Sequence, residues 1–139
     1  MSKERTLILL KPDAVSRGLV GKLISRYENK GLRICAMKMI KVSPELARKH
    51  YIAHIHKPFY PELEAYITRD RLVALVIEGE SAIAVTRAIN GATKLEQMIP
   101  GTIRGDYAAS TTENVVHGSD SPENAKYEIG NFFTSEEIY

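Results

Sequence analysis

The sequence predicts an α+β sandwich in which helices cover an antiparallel sheet. Three observations predict it. Residues 6–10, 32–42 and 72–77 form separate apolar runs suited to strands, and Val115-Val116 offers a short fourth. Between them apolar residues recur at helical spacing, several times behind a Ser-Pro pair and before a glycine. No repeat or low-complexity linker divides the chain. Its 139 residues, 44% hydrophobic and 26% charged, suit one domain over residues 1–139 that can bury a core.

The first run, Thr6-Leu7-Ile8-Leu9-Leu10, ends before Lys11-Pro12-Asp13 because proline cannot donate to a ladder, which puts Lys11 at a strand's end. Leu19, Val20, Leu23, Ile24 and Tyr27 then form a helical stripe that stops before Asn29-Lys30-Gly31. Residues 32–42 are apolar on both faces in the middle, as in a largely covered strand. Ser43-Pro44 reads as an N-cap with proline at the first helical position, opening a helix through His50 and Tyr51. After Pro58 and Pro61 a helical period resumes over residues 62–67, followed by the third strand at 72–77. Residues 80–90 give the next helix, ended by Gly91, and Ser121-Pro122-Glu123 opens a last helix to about residue 129. Residues 91–113 read as a long loop containing Arg104, and loops of that length in compact domains are usually functional.

Composition excludes several classes. The net charge of +2 is too weak to argue a nucleic-acid surface. Cys35 is the only cysteine, which leaves no intrachain disulfide, and its apolar run makes it a core residue. No run of about 18 apolar residues occurs, and the start lacks the order of a secretory signal, so a cytoplasmic protein without membrane contact is expected. Gly18-Leu19-Val20-Gly21-Lys22 lacks the Walker spacing and the following Ser or Thr. His54 and His56 have no supporting cysteine or acidic cluster, and no protein-held metal is expected.

His117 carries the chemistry. It follows an apolar strand and precedes a small polar turn, Gly118-Ser119-Asp120, and imidazole is a competent nucleophile near neutral pH. It needs an acceptor to fix its tautomer, which Ser119, Asp120 or Glu128 could supply. Lys11, Arg87 and Arg104 are far apart in sequence, but strand ends and loops at one edge can converge them into a clamp for phosphoryl charge.

Several segments in order resemble nucleoside diphosphate kinases over essentially the whole chain: Lys11-Pro12-Asp13-Ala14-Val15, Arg17-Gly18-Leu19-Val20-Gly21, His50-Tyr51, Lys57-Pro58-Phe59-Tyr60, Pro100-Gly101-Thr102-Ile103-Arg104-Gly105-Asp106 and the His117 segment. The resemblance implies the ferredoxin-like βαββαβ sandwich with a four-stranded antiparallel sheet. It implies ping-pong transfer of the γ-phosphoryl group from a nucleoside triphosphate to a nucleoside diphosphate through phosphohistidine at His117, attacking by Nδ1. Glu128 would bond the other ring nitrogen, with Ser119 assisting. Lys11 and Asn114 match ligands of the sugar hydroxyls, Arg87, Thr93 and Arg104 of the phosphates, and Phe59 stacks on the base; Tyr51 belongs to the same nucleotide-binding set. Mg²⁺ held mainly by phosphates and water is implied as cofactor, with ATP and other nucleoside di- and triphosphates as partners. A homo-oligomer, hexamer or tetramer built from a common dimer, is implied too, without an expectation of the C-terminal extension that some hexamers use.

Two departures stand out. Thr111-Thr112-Glu113 replaces the usual apolar residue, glycine and basic residue before Asn114, and Thr68-Arg69-Asp70-Arg71 replaces a common Ser-Gly-Pro turn. A silent scaffold member would have lost His117 or the arginines, which are present. A nucleic-acid module would show aromatics on strands, whereas Tyr51, Phe59 and Tyr60 fall outside them.

Overall fold

The computed structural model describes residues 3–139. Its elements run β1 (Lys3–Leu10), α1 (Pro12–Ser16), α2 (Val20–Asn29), β2 (Arg33–Lys41), α3 (Pro44–His50), α4 (Tyr60–Thr68), β3 (Arg71–Glu80), α5 (Ala82–Asn90), α6 (Ile103–Tyr107), β4 (Val116–Gly118) and α7 (Pro122–Phe132). The sheet order is β2-β3-β1-β4, with every neighbouring pair antiparallel. β1 and β2 therefore run parallel with β3 inserted between them, which is the ferredoxin-like arrangement.

Period-two alternation divides the strands between two cores. Leu7 and Leu9 of β1 with Leu72, Ala74 and Val76 of β3 pack against Ala47 of α3, Ile67 of α4 and Phe132 of α7. Their neighbours Ile8, Leu10, Val73, Leu75 and Ile77 pack on the opposite face against Leu23 and Tyr27 of α2, Ala82 of α5 and Ile103 of α6. Both faces of the central strands are thus covered, which is why β1 and β3 read as continuous apolar runs.

The caps read from sequence form as expected. Ser43 Oγ accepts from the Leu46 amide and Ser121 Oγ from the Asn124 amide, each with proline at the start of the helix. Gly91 ends α5 at φ 87°, a conformation costly for a residue with a Cβ.

Four readings need correction. A short helix, α1, follows β1 directly, because Pro12 at its first position starts a helix as readily as it ends a strand. Strand β2 is not largely covered: it is a sheet edge, bulged between Ile34 and Ala36, with Met37 and Met39 exposed at 58% and 49%. The long loop contains α6, capped by the Thr102 side chain, so Arg104 lies on a helix. β4 begins one residue later than read, and His117 is its middle residue. Cys35 is buried, as expected.

Candidate active site

His117 pairs with Leu9 of β1. Cross-strand partners share a face, and Leu9 faces the core under α3, α4 and α7, so the imidazole projects toward α7 and the end of α3. Glu128 of α7 meets it: Nε2 lies 2.8 Å from Glu128 Oε1, and Ser119 Oγ donates to the same oxygen at 2.6 Å. A carboxylate at Nε2 fixes the proton there and leaves the lone pair on Nδ1, which makes no hydrogen bond among the described residues. Burial, with Lys11, Arg104 and Arg87 adding repulsion, holds the imidazole down to about 3. The ring is therefore neutral at pH 7, and its contact with Glu128 is a charge-assisted hydrogen bond rather than an ion pair. Burial also raises the Glu128 carboxyl above its ordinary range, with the Ser119 hydroxyl opposing that shift.

Lys11 is the N-cap residue of α1, and its Nζ donates to Asn114 Oδ1 at 2.9 Å. Burial, reinforced by Arg104 and opposed by Asp13, lowers the ammonium to about 7. The Asn114 amide donates to the Thr111 carbonyl at 2.8 Å. Between Asn114 and β4 the chain makes a γ-turn: the Val116 amide donates to the Asn114 carbonyl at 2.8 Å across Val115, whose φ is +64°. A β-branched residue there stores about 1–3 kcal/mol of strain, and its neighbours are Lys11's partner on one side and His117's strand on the other.

Arg104 is held by two carbonyls, Gly91 at 2.6 Å from Nη1 and Val116 at 2.7 Å from Nη2, while its buried Nε has no partner. Burial and then repulsion from Arg87 bring it to about 10, still cationic at neutral pH. Arg87 of α5 reaches the Gly118 carbonyl at 3.4 Å. These groups converge on a cleft of about 420 Å³, lined by Tyr51, Arg87, Thr93, Arg104, His117 and Glu128 among others. Lys11, Asn114 and Ser119 are buried beside it. The Tyr51 hydroxyl is buried without a partner, and burial pushes its pKa up, leaving an unspent donor at neutral pH. Phe59 stands apart, 51% exposed, beyond the His54 ring at 5.8 Å.

The two departures in sequence meet in space. Arg69 pairs with Glu113 at 3.1 Å and lies 5.0 Å over the Tyr66 ring, tying the turn after α4 to the segment that carries Asn114. Both partners are about half exposed, so the pair contributes at most about 1 kcal/mol. One site residue lies in a matched segment, His50-Tyr51, but is given no role by the sequence: His50, whose ring lies 4.6 Å from that of His117 and edge-on to it. Among the described residues, His50, His117 and Glu128 bring ligand atoms within 4.8 Å of one another.

A neutral imidazole oriented by a carboxylate, facing a cleft lined by Arg87 and the buried Arg104, on a ferredoxin-like sheet, defines a phosphotransferase of the phosphohistidine class. The family description "Nucleoside diphosphate kinase" matches residues 4–138. A nucleoside diphosphate kinase of Caldanaerobacter subterraneus subsp. tengcongensis is 55% identical over 94% of this chain and 94% of its own. That of Pyrococcus abyssi is 53% identical over 99% of this chain and 88% of its own. The solved nucleoside diphosphate kinase of Aquifex aeolicus superposes with a TM-score of 0.95 at 40% identity, covering 99% of this chain and 100% of the other. One from Halobacterium salinarum, solved in complex with CDP, gives 0.95 at 40% identity, covering 99% and 92%. The chain belongs to the nucleoside diphosphate kinase family. It is an enzyme that moves the γ-phosphoryl group from a nucleoside triphosphate to a nucleoside diphosphate by a ping-pong mechanism through a phosphohistidine.

Proposed function

We propose that His117 is the phosphorylated residue and that Lys11, Tyr51, Phe59, Arg87, Thr93, Arg104 and Asn114 bind the nucleotide. The observation that carries this is the fixed tautomer: with Nε2 engaged by Glu128 at 2.8 Å, Nδ1 is the nitrogen left to attack. In the first half-reaction Nδ1 forms a bond to the γ-phosphorus as the bond to the β-bridging oxygen breaks, and the nucleoside diphosphate leaves. The ring gains positive charge as it is phosphorylated, and the Glu128 carboxylate stabilises that charge while Ser119 holds the carboxylate in place. The second half-reaction reverses these steps with a different diphosphate.

Arg87, Arg104 and Thr93 take the phosphate oxygens, and Tyr51 donates its free hydroxyl there. Lys11 and Asn114, already bonded to each other, take the ribose hydroxyls. Phe59 offers an exposed face to the base, with Lys57 Nζ 5.8 Å from its centroid. The donor set suits magnesium carried by the phosphates: besides Glu128, which is occupied by His117 and Ser119, the cleft presents Asp120 as the carboxylate able to hold a hydrated ion. Magnesium bound there would neutralise phosphate charge.

Residues 1–139 act as one catalytic unit, with ATP and other nucleoside di- and triphosphates as substrates; the CDP bound by the Halobacterium salinarum relative supports that class. The edge strand β2, with Met37 and Met39 exposed, supports assembly into a homo-oligomer, hexamer or tetramer. No helix among the described residues is long and apolar enough to cross a membrane. Initial rates of transfer from ATP to GDP test the reading: parallel double-reciprocal lines are expected, and lines that intersect would contradict a covalent intermediate.

A further inference from the structure

We propose that His50, His117 and Glu128 form an inhibitory site for a borderline transition-metal cation of the Zn²⁺ type, distinct from the magnesium that accompanies the nucleotide. The consequence for activity rests on His117 being the nucleophile; the metal site itself does not.

His50 is the reason to look for a ligand. It ends α3, is 8% exposed, and both of its ring nitrogens are buried without a hydrogen-bond partner. Leaving buried polar nitrogens unpaired costs about 1–3 kcal/mol each, and native structures rarely tolerate it without cause. The ring is packed edge-on against Tyr51 at 4.6 Å, His117 at 4.6 Å and Phe132 at 5.4 Å, so it is held in place while its lone pair stays unspent. Burial holds both imidazoles at about 3, so each is in the neutral form that binds metal.

Two imidazoles and one carboxylate are a known three-ligand set for zinc, with the fourth position left open to water. Tetrahedral coordination at about 2.0–2.1 Å would place ligand atoms roughly 3.4 Å apart. The three atoms already lie within 4.8 Å of one another, so small side-chain rotations close the site. Nitrogen ligands select Zn²⁺, Co²⁺, Ni²⁺ or Cu²⁺ over magnesium, which prefers oxygen. Arg87 and Arg104 line the same cleft and, with Lys11 buried beside it, oppose any cation, and the Glu128 carboxylate offsets part of that repulsion.

Occupation disables the nucleophile by either route. A metal on Nδ1 takes the attacking lone pair directly. A metal on Nε2 displaces the Glu128 hydrogen bond and moves the ring proton to Nδ1, with the same result.

Chelator-treated protein titrated with Co²⁺ reads the site through its visible d–d bands. One equivalent is expected to bind in the parent and in the His54→Ala/His56→Ala double variant, and none in His50→Gln or His117→Ala. In the parent, the ring nitrogens of His50 and His117 should shift together in ¹⁵N spectra on addition of Zn²⁺. With γ-labelled ATP and excess Mg²⁺, buffered Zn²⁺ should suppress labelling of the parent at least tenfold, reversibly on chelation, while residual labelling of His50→Gln stays unaffected. Undiminished binding in His50→Gln, binding lost with His54 and His56, or no bound equivalent in the parent overturns the site. Full labelling of the metal-loaded parent overturns the inhibition. A parent that takes no label even without Zn²⁺ overturns the nucleophile assignment instead, and leaves the Co²⁺ titration to judge the metal site.

Discussion

Glu128 holds the catalytic geometry through one oxygen, and replacing it gives a graded test. Its Oε1 accepts from His117 Nε2 at 2.8 Å and from Ser119 Oγ at 2.6 Å, and both contacts are largely shielded from water. A hydrogen bond to a charged group contributes about 1.5–3 kcal/mol and a neutral one about 0.5–1.5 kcal/mol. Glu128→Gln keeps the shape and an accepting oxygen but loses the charge, a difference of about 1–1.5 kcal/mol that lowers the phosphorylation rate roughly tenfold. Glu128→Ala removes the acceptor entirely and frees the tautomer, lowering the rate roughly 10–150-fold. Ser119 keeps a second partner in the Leu7 amide at 3.3 Å, so the surrounding strand should survive either change. Rapid-quench measurement of protein labelling in a single turnover reads the step directly, and thermal melting checks the fold. Parental labelling rate in Glu128→Ala would refute the argument, as would a Gln variant slower than the Ala variant.

Three other outcomes follow from particular groups. His50 and His117 are both held at about 3, below the ordinary 6.5, so between these values the unfolded chain binds more protons than the folded one and stability falls as pH drops. Denaturant titrations of chelator-treated protein should show stability falling as pH drops below 6, by at most roughly 3 kcal/mol per pH unit from these two groups, and a slope unchanged in His50→Gln would contradict this. At Gly105 an added Cβ would sit 1.8 Å from the Ile99 carbonyl oxygen and crowd the Thr102 hydroxyl that caps α6. Gly105→Ala should therefore cost about 1–3 kcal/mol or more and impair activity by displacing Arg104; a parental melting temperature would contradict it. Because Phe59 presents an open ring face and no base-specific polar group, ATP, GTP, CTP and UTP should differ modestly as donors. Dideoxynucleotides should be poorer by orders of magnitude, since they forgo the hydrogen bonds that Lys11 and Asn114 offer the ribose hydroxyls; full activity with one would show the ribose site is misassigned.

What the sequence could and could not disclose has physical causes. β1 and β3 were legible because both faces are buried, and the helix starts at Ser43 and Ser121 because their caps act locally. Helix α6 was missed because Gly105 and a five-residue length leave no apolar period, and its cap, Thr102, sits inside an irregular stretch. The edge position of β2 depends on long-range pairing order, which no local pattern encodes. His117, Glu128 and the arginines could be named through the family resemblance, yet the fixed tautomer, the γ-turn at Val115 and the pairing of Arg69 with Glu113 arise only when distant segments meet. His50 shows this most clearly: the sequence places it in a helix and in a matched segment with Tyr51, but only folding buries its ring against His117.

The central claim is that the γ-phosphoryl group rests on His117 between the two half-reactions. Incubating the protein with γ-labelled ATP and magnesium, without an acceptor, should leave about one labelled phosphoryl group per active chain, labile in acid, stable in base, and discharged on addition of a nucleoside diphosphate. His117→Ala, confirmed to be folded by its melting curve, should take no such label; label retained in that variant would contradict the account.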